Sequence, residues 1–469
     1  MISSDPTDHV ELRAAYADSV ALLQVSRDVQ AVPGVVTAQV AMATPLNLEV
    51  ITGLGFDVPG SASPHDMVVA IRTGPDGDLD TALAAVDRAL APQPAPSDTA
   101  GAPAVAPRTT GSALGGGEAA VLVSVPGPSA FVEAMDALDA GCDVMVFSDH
   151  VPLAQEVTLK QVAHERDLLV MGPDCGTAVV GGLGLGFANV TRPGPVGLVA
   201  ASGTGCQQLL ALLDHAGVGV THALGVGGRD LSDDVGGLAT MQALRRLDAD
   251  DSVELVLLVS KPPAPEVATR VEAYTGGLAT PVETALLGPG RPDLTAAAEA
   301  TLRALGVTPP TWPVAGTARP GSGGRLHGLF AGGTLCEEAR LIAAGAGVPS
   351  EGSSFTDFGD DDYTAGRAHP MIDPTLRLEE LGRLAADPTT GVVLLDVVLG
   401  HGADADPAAT LAPALAEVDV PSVVTVVGTV LDPQDRDRQV AALVDAGAEV
   451  HLSNATATRR AVELAGGAR

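Results

Sequence analysis

Short apolar runs rich in β-branched residues alternate along this chain with longer segments whose apolar positions recur every three to four residues, and that alternation predicts an α/β protein throughout. Residues 1–91 read as a small α/β domain. A strand near Val10–Arg13 leads to a helix from Asp18 to Gln30, a turn at Pro33-Gly34 and a strand over Val35–Ala43; a helix near 46–54, a strand over Met67–Arg72 and a helix from Leu79 to Leu90 follow. Asn47 and Asp66 border the second helix and the last strand and are expected to cap them. Over 92–117 the periodicity gives way to Pro, Ala, Gly, Ser and Thr, a composition that buries too little surface to offset the entropy of ordering, so a flexible linker is expected.

From Ala119 the pattern runs strand, helix, strand, helix, strand (Ala119–Val125, Pro128–Asp139, Asp143–Phe147, Leu153–Arg166, Leu168–Met171). The strands are near-continuous apolar runs, as in parallel sheets covered by helices on both faces. Three parallel doubly wound domains of Rossmann or flavodoxin type are expected, over 118–192, 193–306 and 325–469. The Gly-rich segment Gly181–Phe187 is read as the crossover between the first two, and the Pro-, Gly- and Thr-rich residues 306–324 as the boundary before the third.

Two stretches carry the most chemistry. Val196–Ala200 is a buried strand that breaks into Ser202-Gly203-Thr204-Gly205 and then a helical pattern through Leu209, Leu210, Leu212 and Leu213. Such a helix start points unpaired N–H groups and the positive end of its dipole at whatever lies beyond the strand, which suits a phosphate or carboxylate; the same Ser and Thr equally suit a plain helix cap. Leu326–Arg340 repeats the design, with Gly332, Gly333 and Thr334 at the turn. Ligands of doubly wound sheets sit beyond the carboxyl ends of strands, which marks His150, Asp174, Arg229, Lys261 and His401 as rim residues. Asp174 and His401 are the candidate acid/base groups, and Arg229 a candidate for an anionic ligand. Arg367 and His369 lie in a loop stiffened by Pro370 and Pro374, where Arg367 either clamps a substrate carboxylate or pairs with Asp360–Asp362.

Composition narrows the classes. A formal charge of −32 argues against nucleic acid and anionic membranes as partners. No apolar run reaches the ~18 residues of a membrane span, and the start of the chain lacks the pattern of a signal peptide, so a soluble cytoplasmic protein is expected. Cys142, Cys175, Cys206 and Cys336 lack CxxC spacing; free thiols and no metal are expected.

On these residues the chain resembles the FdrA family. Residues 119–290 look like the α subunit of succinyl-CoA synthetase and 325–465 like the ligase domain of its β subunit, on the phrases Met171–Gly176, Val199–Gln208, His369–Pro374 and Leu395–Gly400. In those synthetases a histidine carries a phosphoryl group between two helix ends, which the resemblance places at Ser202–Gly205 and Gly332–Thr334. No histidine occurs here between His222 and His327, and an ATP-grasp domain and the Gly-rich coenzyme-A fingerprint are not recognisable. The resemblance implies an enzyme of oxamate carbamoyltransferase type working with two further subunits, which turns oxalurate and phosphate into oxamate and carbamoyl phosphate. Phosphate or an acyl or carbamoyl phosphate is then the ligand, with His369 beside Arg367 on the substrate. A coenzyme-A-using acyl ligase and a non-catalytic assembly subunit remain as alternatives, and a homo-oligomer stays open.

Overall fold

The computed structural model describes residues 7–91, 107–114, 119–321, 323–349 and 351–466. Most of the expected linker lies outside them; inside it, Thr109 and Ser112 form a capping box on one helical turn, Thr110–Ala113. The chain makes two compact units, Met1–Val105 with Asp360–Asp373, and Ala106–Gly359 with Pro374–Arg469.

The first unit is built on an antiparallel sheet of Thr7–Arg13, Met67–Thr73 and Val35–Met42, with Met67–Thr73 in the middle. Alternation along the middle strand sets the two faces. Met67, Val69 and Ile71 pack on Leu22, Val25 and Val29 of the helix Ser19–Gln30 and on Ala82 and Val86 of Leu79–Leu90, while Val68 and Ala70 pack on Ile51 and Phe56. Asp18 caps its helix by accepting from the Val20 and Ala21 amides. Asn47 is not a cap: Thr44 takes that place, and the buried Asn47 amide donates to the carbonyls of Met42 and Gly366, both at 2.9 Å. Asp66 accepts from the Ser63 amide at 2.9 Å and so fixes the turn before its strand.

In the second unit a parallel sheet of Ala120–Val123, Asp143–Val146 and Val170–Met171 precedes two six-stranded sheets. Val196–Ala201, Val220–Gly225, Leu255–Ser260 and Val282–Leu286 run parallel in the first of these, and Arg325–Phe330, Ser354–Asp357, Thr390–Val398, Ser422–Val427 and Glu449–His451 in the second. Each carries antiparallel edge structure as well. Gly181–Phe187 is not a crossover: Thr177–Val180 and Leu183–Gly186 form a hairpin on the edge, closed by Gly181 (φ 57°) and Gly182 (φ 81°), the left-handed pair that a two-residue hairpin turn requires.

The two large sheets are joined by a buried seam between helices. Gln208, on Gly203–His215, donates to the Leu452 carbonyl at 3.0 Å and accepts from the Asn454 amide at 2.9 Å. Asn454 Nδ2 donates to Glu338 Oε2 at 2.7 Å, and the Leu294 amide donates to Glu338 Oε1 at 2.7 Å. Thr295 and Ser453 share a hydroxyl bond of 2.7 Å. Burial, followed by the nearby charge of Asp293, pushes the Glu338 carboxyl up from 4.5 to about 7. Between those values the folded chain holds the proton more firmly than the unfolded chain, so stability that is full below pH 4.5 is lost as pH rises through about 7. The loss amounts to ~3 kcal/mol at most. Urea unfolding at acidic and at mildly alkaline pH should show that decline, and Glu338→Gln should flatten it.

A candidate anion site between two helix starts

The two stretches singled out by their Gly-rich turns meet. Val196–Ala201 is buried along its whole length and delivers Ser202 in extended conformation to the start of Gly203–His215. Arg325–Phe330 delivers Gly332 to the start of Gly333–Gly345, which has no side-chain cap. Ser202 Oγ accepts from the Gly205 amide at 2.9 Å and lies 2.6 Å from Thr334 Oγ1 on the other helix. Ser202 is therefore a cap and a bridge at once.

Close packing here demands glycine. A Cβ on Gly332 would lie 2.8 Å from the Thr204 side chain, and one on Gly205 would overlap Ser202 Oγ and lie 3.0 Å from Thr334. The first-turn amides of Gly203, Thr204, Gly333 and Thr334 have no acceptor among the described residues. The starts of the two helices, each the positive end of its dipole, thus meet.

Charged groups complete it. Lys261 follows the strand Leu255–Ser260, and its Nζ would lie 2.6 Å from a Cβ on Gly333. Its side chain is 45% exposed, and Nζ is 3.9 Å from Asp357 Oδ2. Asp396 is wholly buried and accepts from the Ala331 amide at 2.7 Å and the Gly332 amide at 2.8 Å, which holds the second loop in shape. Arg377 pairs with it at 3.2 Å and donates to its carbonyl at 2.7 Å. Burial pushes the Asp396 carboxyl up and the Arg377 guanidinium down, each opposed by the charge of the other. Cys206 and Cys336, one turn into each helix, are buried; desolvation pushes the Cys206 thiol up to about 12 and raises Cys336 further still, so neither is a ready nucleophile.

The remaining candidates have surroundings of their own. Asp174 is exposed, with φ 56° and its amide donating to the Ser148 carbonyl at 3.0 Å. His401 is exposed beside the hairpin, its amide donating to the Ala188 carbonyl at 2.8 Å; the carbonyl of Leu399, two residues earlier, accepts from Gln207 at 3.3 Å and Asn189 at 2.9 Å. Arg229, expected at an anionic ligand, is instead spent on structure: it donates to Glu156 at 2.9 Å and to the Val151 carbonyl at 2.8 Å. Glu156 and Asp230 also hold the buried Lys160, each at 2.8 Å, so two cations and two carboxylates balance there. Arg367 and His369 belong to the first compact unit. There Arg367 is buried and pairs with Asp373 at 2.7 Å, with Asn47 Oδ1 accepting at 3.3 Å, so neither the carboxylate clamp nor the pairing with Asp360–Asp362 describes it. His369 Nδ1 accepts from the Met371 amide at 3.3 Å.

Comparison with known proteins gives the chain its relatives. The CoA-ligase family matches residues 329–464, and the family described as AllF, heavy metal-associated domain, matches 7–106. A relative in Escherichia coli (strain K12), the uncharacterized protein YahF, is 34% identical over 489 residues, covering 92% of this chain and 93% of its own. The chain belongs to the YahF family. The Trichomonas vaginalis mitochondrial succinate–CoA ligase [ADP-forming] subunit alpha-2 is 29% identical over 147 residues, 30% of this chain and 46% of that protein. The YahF-family chain is thus succinyl-CoA-synthetase-like. The dinucleotide-forming acetyl-coenzyme A synthetase 1 of Ca. Korarchaeum cryptofilum, in its apo form, superposes with a TM-score of 0.30 at 16% identity over 76% of this chain and 86% of that one, too loosely to say more.

Residues 7–106 hold no cysteine, so they do not supply the thiolates that soft heavy metals take. Among the described residues no helix is long and apolar enough to cross a membrane.

Proposed function

We propose that this chain is an FdrA-type transferase subunit that holds phosphate, or the carbamoyl phosphate made from it, between the helix starts at Gly203 and Gly333. The observation that carries the reading is the 2.6 Å contact of Ser202 with Thr334, which sets two anion-binding helix ends face to face. The modules 118–192, 193–306 and 325–469 then serve as its frame.

In this reading a phosphate oxygen attacks the carbamoyl carbon of an N-carbamoyl acid such as oxalurate. The carbon–nitrogen bond to the remainder breaks, and the proton leaving phosphate ends on the departing amide nitrogen. The unpartnered amides and Lys261 stabilise the charge that gathers on the tetrahedral intermediate and the phosphate. His401 and Asp174 are the candidates for moving the proton. Nothing in the step calls for a phosphohistidine, in keeping with the histidine-free stretch between His222 and His327.

A second reading, acyl transfer to coenzyme A, draws on the CoA-ligase match at 329–464. Against it, the Gly-rich coenzyme-A fingerprint is not recognisable in the sequence of the first doubly wound module.

The deciding experiment purifies the chain with whatever subunits co-elute and measures phosphate-dependent loss of oxalurate. Turnover without coenzyme A or nucleotide is the expected result. A requirement for both would transfer the assignment to the second reading, and partners stabilised by a chain that binds no ligand would make it an assembly subunit. In the same assay, a folded His401→Asn variant within twofold of the parent would remove His401 from proton transfer.

A further inference from the structure

The chain is almost without lysine. Of its 26 lysine and arginine residues only Lys160 and Lys261 carry a primary amine, and a guanidinium, which stays charged, is no nucleophile. Lys160 is closed to chemistry. Its side chain is wholly buried, and its ammonium donates at 2.8 Å to Glu156, to Asp230 and to the Val226 carbonyl, one acceptor for each N–H. Lys261 is the opposite case: its side chain is 45% exposed, and its ion pair with Asp357 is long, at 3.9 Å.

The backbone beneath that amine is held in place. Leu255–Ser260 is buried along its whole length, the Leu287 amide donates to the Ser260 carbonyl at 3.1 Å, and the Ser260 hydroxyl donates to the Lys261 carbonyl at 2.6 Å. Pro262 and Pro263 stiffen the chain beyond it. Movement is left to the side chain, and Gly333 gives it room, since a Cβ there would come within 2.6 Å of Nζ. The carboxylate beside the exposed amine offers an acceptor for the proton that an attacking amine gives up.

We propose that Lys261 is an acyl-acceptor site, the lysine of this chain that acyl phosphates modify. The reading above supplies the class of reagent, an acyl or carbamoyl phosphate; the reacting position follows from the amine and its neighbours, not from the helix starts. In the step the neutral amine attacks the acyl carbon and forms a C–N bond, and the C–O bond to phosphate breaks with its electron pair to release inorganic phosphate. The proton lost by nitrogen passes to the Asp357 carboxylate and on to water. The product is an uncharged Nε-acyl or Nε-carbamoyl lysine. Modification thus removes the positive charge and leaves the carboxylate of Asp357, a change that disfavours anions nearby and lets an excess of acyl phosphate limit its own binding.

Incubation of the full chain with acetyl phosphate, and separately with carbamoyl phosphate, followed by intact-mass measurement and peptide mapping, tests this. One acylated lysine per chain is expected, Lys261, with Lys160 untouched until guanidinium chloride unfolds the protein. Lys261 should react about tenfold faster in the folded chain than in the unfolded one, a conservative share of what a positioned proton acceptor contributes. Asp357→Asn should remove that advantage, and Lys261→Arg should gain no acyl group on lysine while folded. Acylation of the parent should shrink the rise in melting temperature that inorganic phosphate gives. Lys261 left unmodified, or reacting no faster folded than unfolded, would overturn the proposal, as would acylation of Lys160 in the folded chain. A phosphate response that acylation leaves unchanged would overturn the effect on anions. Lys261 acylated in a chain whose melting temperature phosphate never moves would uphold the acceptor site and remove the phosphate-site reading.

Discussion

Gly203→Val is expected to fold and to lose the ligand-induced rise in melting temperature, whereas Gly333→Val should lose both the rise and part of the fold. The two glycines start equivalent helices yet sit in different surroundings. A Cβ on Gly203 meets nothing nearer than Thr177 Oγ1 at 4.0 Å, so a side chain there grows into the space a ligand would use. At Gly333 the same atom collides with Asp357 and Lys261, which are themselves part of the site. A ligand at a hundred times its dissociation constant adds ~2.7 kcal/mol of stability, a shift of a few degrees that differential scanning fluorimetry resolves with phosphate or carbamoyl phosphate. A Gly203→Val protein that keeps the shift would remove the anion from the junction.

The largest loss of stability is expected from Asp396→Ala. That change strands the buried Arg377 guanidinium, whose Nε has no hydrogen-bond partner among the described residues, and releases the amides of Ala331 and Gly332 together. Removing one partner from a buried ion pair costs ~3–5 kcal/mol, because the remaining charge stays out of water. Asp396→Asn should cost less, since its carboxamide oxygen still accepts from one loop amide. Urea unfolding measures both, and a loss below ~0.5 kcal/mol for the alanine variant, as at an ordinary surface position, would contradict the role given to this pair.

Asp396 also shows where the sequence was legible and went unread. It is the lone charge in Thr390–Val398, a strand buried at every position, and a carboxylate in such a place has to be paired with something. The partner was not readable, because Arg377 comes from a different element and no spacing rule links them. The strands of the first unit and the two Gly-rich helix starts followed from apolar periodicity and turn chemistry, and those signals are local. The edge hairpin was equally local: two successive glycines between Thr177–Val180 and Leu183–Gly186 ask for a tight left-handed turn, and reading the segment as a crossover missed it. Arg367 differs. Its partner Asp373 lies six residues on in an irregular loop, where no period says which carboxylate a guanidinium will reach. The junction itself, with Ser202 touching a residue 132 positions away, is a tertiary event that no local pattern contains.

The seam of Gln208, Asn454, Glu338, Leu294, Thr295 and Ser453 joins the helix that starts at Gly203 to the stretch 329–464 that matches the CoA-ligase family. When such halves are separate polypeptides, the second anion-binding helix is present only as often as the subunits meet, and dilution removes it. One covalent chain keeps the facing helix at an effective concentration on the order of millimolar, whatever the amount of protein in solution. Ligand affinity at the junction should therefore be the same at nanomolar and micromolar protein, and the pairing of the two helix starts needs no assembly step of its own.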